Sequence, residues 1–235
     1  MKIEVWYDFA CPVSFVGNEL LKLAIDCFGN DKSIEIEYKS YQLEPHSPIE
    51  LNENVMDLLQ RKSKLSDEKR QALEKEILEQ ATHVGLSFDL ETIHYTNTYD
   101  AHRLVKFAQK SCKEKEVIDL LHDTFFHKQK NIGEKATLLS LAQEVGLDED
   151  EVEMVLCFNK YEKALMEDRD MAEEVGVEQI PFLIFNDMYA ISGVQPLSIY
   201  IDILQDILQE DPACYELKNA KRSRTYCEGS KCDQT

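Results

Sequence analysis

The chain is short of positive charge: 26 Lys and Arg stand against 45 Asp and Glu in 235 residues, a formal net charge of −19. Phosphate backbones are bound by clustered cations that release counterions, so nucleic acid and anionic membrane surfaces are excluded as main partners. No apolar run approaches the roughly 20 residues needed to span a bilayer. The first strand pattern starts at Lys2, which leaves no room for the charged and apolar regions of a secretory leader, so a cytoplasmic location is expected. Neither a Gly-rich phosphate loop nor a repeat of fixed period is present. The six histidines, His46, His83, His94, His102, His122 and His127, lack metal spacing, so no metal and no bound cofactor is expected. His102 reads as a surface or capping residue, and residues 148–151 as a helix start rather than a calcium loop.

What the sequence does contain is seven cysteines. An odd number in a reducing compartment cannot all be structural disulfides, so some are free, buried or redox-active. Cys11 stands out by position. Residues 2–8 alternate Ile3, Val5 and Tyr7 against Lys2, Glu4 and Trp6, as a strand with one strongly apolar face does, and residues 14–27 carry a helical apolar stripe. A cysteine at such a junction meets the free N–H groups and the dipole of the helix, which favour a thiolate and predict a lowered pKa. Pro12 suits the first helical turn. Residues 34–38 alternate again, which completes a βαβ unit with parallel strands.

From Pro45 to Gly176 helical patterns dominate, over residues 51–64, 66–84, 97–112, 114–130, 134–145, 149–158 and 161–175. Ser66, Asn97 and Asp148 read as N-caps and Gly85, Gly146 and Gly176 as stops. Phe182-Leu183-Ile184-Phe185, the turn Asn186-Asp187 and Tyr189-Ala190-Ile191 form a hairpin pattern. Pro196 opens a last helix striped with Leu197, Ile201, Leu204 and Leu208. The expected organisation is a discontinuous α/β domain of residues 1–44 and 177–209, a helical insertion of residues 45–176, and a polar tail of residues 210–235.

Cys11-Pro12-Val13-Ser14 after the first strand, the helical insertion, and Gly176-Val177-Glu178-Gln179-Ile180-Pro181-Phe182 leading to Tyr189-Ala190-Ile191-Ser192-Gly193-Val194-Gln195-Pro196 together resemble the DsbA superfamily. Within it the chain is most similar to cytosolic FrnE-type oxidoreductases, relatives of hydroxychromene carboxylate isomerases and kappa-class glutathione transferases. Asn97 to Arg103 and Asn131-Ile132-Gly133 resemble that family's insertion, and the likeness spans residues 1–209. It implies a thioredoxin fold, with a mixed sheet built from βαβ and then ββα. It also implies that Cys11 is the attacking thiol of a disulfide oxidoreductase or isomerase, flanked by Pro12 and Ser14. Gln179, Ile180 and Pro181 would form the substrate-binding loop, with a cis Ile180-Pro181 bond. The implied substrates are protein or glutathione mixed disulfides.

The family's usual second cysteine is replaced by Ser14. A dithiol releases its own mixed disulfide, because its second thiol attacks the first sulfur, and a serine cannot. Ser14 can still hydrogen-bond the Cys11 thiolate. Release then falls to an external thiol such as glutathione, to a reductase, or to the tail pair Cys227 and Cys232, which bracket four residues containing Gly229. Cys27 lies about 20 Å down the first helix and is too far. Cys112 and Cys157 read as helix core residues. Two other functions keep the fold: a glutathione-dependent isomerase or transferase, and a non-catalytic protein-binding adaptor.

Overall fold

The computed structural model describes residues 1–28, 34–50 and 52–209. Cys214, Cys227 and Cys232 fall outside them. Alternation at the N-terminus produces β1 (Lys2–Tyr7), whose Ile3, Val5, Trp6 and Tyr7 are all buried. It runs parallel to β2 (Glu35–Ser40), with Val5 opposite Tyr38, and antiparallel to β3 (Phe182–Phe185), with Val5 opposite Leu183. The sheet order is β2-β1-β3-β4, with β4 (Tyr189–Ser192) added by a hairpin. Asn186 and Asp187 make that turn at φ 49° and 56°, the left-handed pair whose twist suits a two-residue hairpin.

Helix α1 (Pro12–Phe28) joins β1 to β2 and packs against α9 (Leu197–Gln209). It begins two residues earlier than the apolar stripe predicts, because proline at the first helical position loses no hydrogen bond. Between β2 and β3 lie α2 (Val55–Ser63), α3 (Asp67–His83), α4 (Tyr99–Ala108), α5 (Glu114–His122), α6 (Lys135–Glu144), α7 (Glu149–Cys157) and α8 (Glu162–Val175). Ser66 and Asp148 cap α3 and α7 by accepting the N–H of Lys69 and Glu151, and Gly176 ends α8 at φ 80°. Asn97 precedes α4 by two residues, yet its Oδ1 accepts the Tyr99 N–H. The single helix predicted over 114–130 is instead α5 followed by a wide π-helical turn, Asp123–His127. The wider turn lets the neighbouring Phe125 and Phe126 both face the core, with ring centroids 4.9 Å apart.

One apolar cluster runs from the sheet into these helices, joining Val5, Leu21 and Leu183 to Leu104, Leu121 and Leu138. A buried ionic joint reinforces it. Asp168 of α8 receives Lys106 Nζ of α4 at 2.7 Å and the Ser40 N–H of β2 at 2.7 Å, and its carbonyl accepts the Trp6 indole N–H. Lys106 also donates to the Tyr38 carbonyl. Buried charges are tolerable when their donors and acceptors are met in this way.

Candidate active site

Cys11 sits immediately before α1. Its carbonyl accepts the Phe15 N–H at 3.1 Å, and its own N–H donates to the Asp8 carbonyl at 3.2 Å, which folds residues 8–11 into a tight turn. The side chain is 1% exposed. It lies in an apolar cluster with Trp6, Ala172, Val177, Ile180 and Phe182, onto which Met171 and Val175 of α8 also pack. The end of α8 and the loop after it therefore help to bury the sulfur.

That burial corrects the expectation of an acidic thiol. Desolvation pushes the Cys11 pKa up to about 11, and the charge of Asp8 adds to the rise. The Ser14 hydroxyl and the N–H groups of Ser14 and Val13 pull the other way. The helix terminus acts as the sequence suggests, and exclusion of water outweighs it. Ser14 Oγ is itself buried and has no well-formed hydrogen bond within the protein, so a Cys11 thiolate would supply the partner it lacks.

The Ile180-Pro181 peptide is cis, and both residues are buried, Ile180 beside Cys11. Pro181 lies on α1 at Gly17, where an added Cβ would come within 2.6 Å of Pro181 Cγ. The Pro181 carbonyl accepts the Gly193 N–H at 2.9 Å, and Gln179 is exposed. Cys11, Ser14 and Ile180-Pro181 thus come together at the start of α1, whereas Cys27 is exposed near its far end. Cys112 and Cys157 are not core residues: both are exposed. Cys112 closes a short 3-10 turn at φ 55°, which turns it away from the helix face, and Cys157 Sγ lies 2.9 Å from Lys135 Nζ.

Several buried polar residues escaped the sequence reading. Asp8 is fully buried; its Oδ2 accepts the Leu43 N–H at 2.8 Å and the Tyr95 hydroxyl at 3.2 Å. Its Oδ1 faces Nε2 of His102 at 3.5 Å. Burial, then Asp8, push the Tyr95 phenol far upward, so it stays a donor. His102 is 1% exposed, not a surface residue, because α4 delivers its ring onto Phe9 and Tyr7 at 4.7 and 5.6 Å. His122 of α5 stacks on Phe15 at 4.7 Å, and burial pushes its pKa down to about 3. The one available signal was Asp8, an acid in the apolar link between a strand and a helix. Tyr95 also lines a cavity of about 570 Å³ with Ile49, Ile93 and Phe125, which Cys11 does not reach. Among the described residues no cluster of three His, Cys, Asp or Glu side chains is arranged to hold a metal.

The family model for the DSBA-like thioredoxin domain matches residues 2–205. The chain belongs to that family. A probable DsbA oxidoreductase from Streptomyces coelicolor superposes over 100% of this chain and 99% of its own with a TM-score of 0.81 and 26% identity. The cytosolic disulfide reductase DsbM of Pseudomonas aeruginosa, solved with GSH, shares the fold at a TM-score of 0.61 and 13% identity, over 89% of this chain and 100% of its own. Among sequences, the uncharacterized protein YwbO of Bacillus subtilis is 27% identical over 189 residues, covering 79% of this chain and 86% of YwbO. A ClpXP adapter protein, SpxH of Halalkalibacterium halodurans, is 30% identical over 125 residues, or 50% of this chain and 41% of SpxH. The DsbA-like family is one of thiol-disulfide oxidoreductases, and the mixed four-stranded sheet with interposed helices is its thioredoxin-like fold.

Proposed function

We propose that the protein is a thiol-disulfide oxidoreductase or isomerase that uses Cys11 as its only motif nucleophile. The supporting observation is the position of Cys11 at the start of α1, beside buried Ile180 and under Ser14, in a DsbA-like fold. In the resting protein the thiol is protonated and covered. Docking of an extended substrate beside Gln179-Ile180-Pro181 would displace Met171 and Val175 and bring the disulfide to the sulfur. The Cys11 thiolate attacks one substrate sulfur, forming Cys11–S–S–R and expelling the other sulfur as a thiolate. Ser14 cannot complete the cycle, so an external thiol, glutathione among them, or the Cys227 and Cys232 pair attacks the mixed disulfide and frees Cys11. Reduction of a glutathionylated protein should be lost in Cys11→Ala and should depend on glutathione concentration in the wild type. Equal turnover by Cys11→Ala would overturn the proposal.

A second reading, a protein-binding adaptor, is favoured by the partial likeness to SpxH and by the deep burial of Cys11. The chain spans less than half of SpxH, so that protein's partner comes here only as a suggestion. An adaptor keeps its captured protein in Cys11→Ala, whereas a mixed-disulfide enzyme loses it.

A further inference from the structure

Residues 93–95 run along the wall of the cavity of about 570 Å³, and only one edge of their backbone is used. His94 opposes Asn54 in an antiparallel bridge, where the Ile93 carbonyl accepts the Val55 N–H at 3.0 Å and the Tyr95 N–H donates to the Glu53 carbonyl at 2.9 Å. Successive residues of an extended chain direct these groups to alternate edges, so the His94 N–H and C=O point away from residues 53–55. Neither makes a hydrogen bond among the described residues. The cavity walls around this open edge are tied in place. The Ile49 carbonyl accepts the Thr96 hydroxyl at 2.7 Å and the Asn131 side-chain amide at 3.1 Å, and Gln129 Nε2 donates to the Thr92 hydroxyl at 2.9 Å. Buried Ile93, Tyr95 and Phe125 supply an apolar floor. Ligand pockets of this size combine such a floor with a few placed polar groups.

We infer that the cavity binds the interior of an extended polypeptide, which pairs its backbone with the open edge of His94. One residue of a second extended chain offers an acceptor and a donor at the spacing of the His94 N–H and C=O, and so meets both at once; unpaired strand edges recruit chains in this way. A free amino acid or a short zwitterionic peptide would also need partners for its ammonium and carboxylate. The charged residues of the cavity, Glu50 and Lys130, are exposed, and its floor is uncharged, so the interior of a chain fits better than its ends. Side chains of the bound strand alternate between floor and solvent, which favours an apolar residue on the inward face. The cavity does not reach Cys11, and the inference stands whether or not that thiol reacts.

The probes are pentapeptides with Val, Leu or Phe at the centre, acetylated and amidated at their ends, titrated into ¹⁵N-labelled full-length protein. The His94 amide resonance should shift saturably. The same peptides N-methylated at each residue have no main-chain N–H between their caps in any register, so the His94 carbonyl stays unmet and binding should weaken at least about tenfold. In the protein, His94→Pro removes the open N–H but spares the bonds of Ile93 and Tyr95, as an edge position tolerates. Read from the Tyr95 amide, it should weaken binding about tenfold or more, whereas His94→Ala, which keeps the backbone, should bind as the wild type does. Because His94→Pro can disturb the segment, the methylated peptides on the wild type give the same test without a substitution. No saturable shift up to about 5 mM of any probe, equal binding of the methylated peptides, undiminished binding in His94→Pro, or loss of binding in His94→Ala would each overturn the inference. Binding of only the uncapped peptides would also overturn it, since that would mark a site for chain ends.

Discussion

His122 gives a prediction whose size follows directly from its surroundings. The ring is 1% exposed, neither nitrogen has a hydrogen-bond partner, and it lies among Phe15, Phe9 and Phe126. Burial above all, with the Lys22 ammonium adding to it, depresses its pKa from the ordinary 6.5 to about 3. The folded protein thus refuses a proton that the unfolded chain accepts below pH 6.5. The stability contributed by neutral His122 is complete above that value and is lost as the pH falls toward 3. Between pH 7.5 and 5.0 the linkage relation gives a loss of about 2 kcal/mol from this site alone. For a chain of this size that is about 4–8 °C in Tm. His122→Phe retains an aromatic ring on Phe15 and removes the titration. Urea denaturation of wild type and variant at pH 7.5 and 5.0 isolates the effect, since any packing cost of phenylalanine appears at both pH values and cancels. The variant should lose about 2 kcal/mol less than the wild type on acidification. An identical acid loss in the two proteins would refute the argument and mean that the imidazole reaches a proton acceptor or water when folded.

Further substitutions probe the joints around Cys11. Asp168→Ala strands Lys106 in the interior and leaves the Ser40 N–H unmet, so it should cost about 3–5 kcal/mol in urea denaturation; a loss below 1 kcal/mol would refute that role. Gly17→Ala sets a methyl against Pro181 and should cost about 1–3 kcal/mol, with faster alkylation of Cys11 as the loop is pushed away. Ser14→Ala removes a hydroxyl that pulls the Cys11 pKa down, so the inflection of Cys11 alkylation should move to higher pH. Ser14→Cys adds the missing resolving thiol and should make disulfide turnover less dependent on external glutathione.

What was legible in the sequence depended on whether the signal was local. Strand alternation at Ile3, Val5 and Tyr7, the caps Ser66 and Asp148, the stop at Gly176 and the Asn186-Asp187 turn are short-range patterns, and the fold realises each of them. The junction cysteine and Ile180-Pro181 were equally visible. The burial of Cys11 was not, because the apolar cluster that encloses it is completed by Ala172, Val177, Ile180 and Phe182, more than 160 residues away in sequence. Helix-dipole reasoning gave the right sign for one contribution and missed the larger one. His102 reads as a surface or capping residue, and nothing local marks His122 or Asp168 as buried; only tertiary packing turns all three inward. Cys112 and Cys157 went the opposite way: an apolar residue type at helix spacing was expected inside, yet a left-handed turn and the end of α7 leave both at the surface.

The same observations bear on why the helices between β2 and β3 matter to the chemistry. The thioredoxin-like strands and α1 alone supply Cys11, Ser14, Asp8 and Pro181. The helices supply His102 from α4 against Asp8, the Lys106–Asp168 joint that holds α8 to β2, and Ala172, Met171 and Val175 of α8 to the apolar cluster that encloses Cys11. A shift of α8 would thus both expose the thiol to water and relieve its desolvation, which is the largest force raising its pKa. Access and ionisation are tied to one movement, so a protein disulfide that displaces α8 would activate the cysteine it needs, while small oxidants outside would meet a protonated, covered thiol. On this view weakening the joint should matter more for small reagents than for proteins. Asp168→Asn should speed Cys11 alkylation by iodoacetamide yet leave turnover of a docked protein substrate nearly unchanged. Equal acceleration of both would show that α8 is a general barrier rather than one that substrate binding removes.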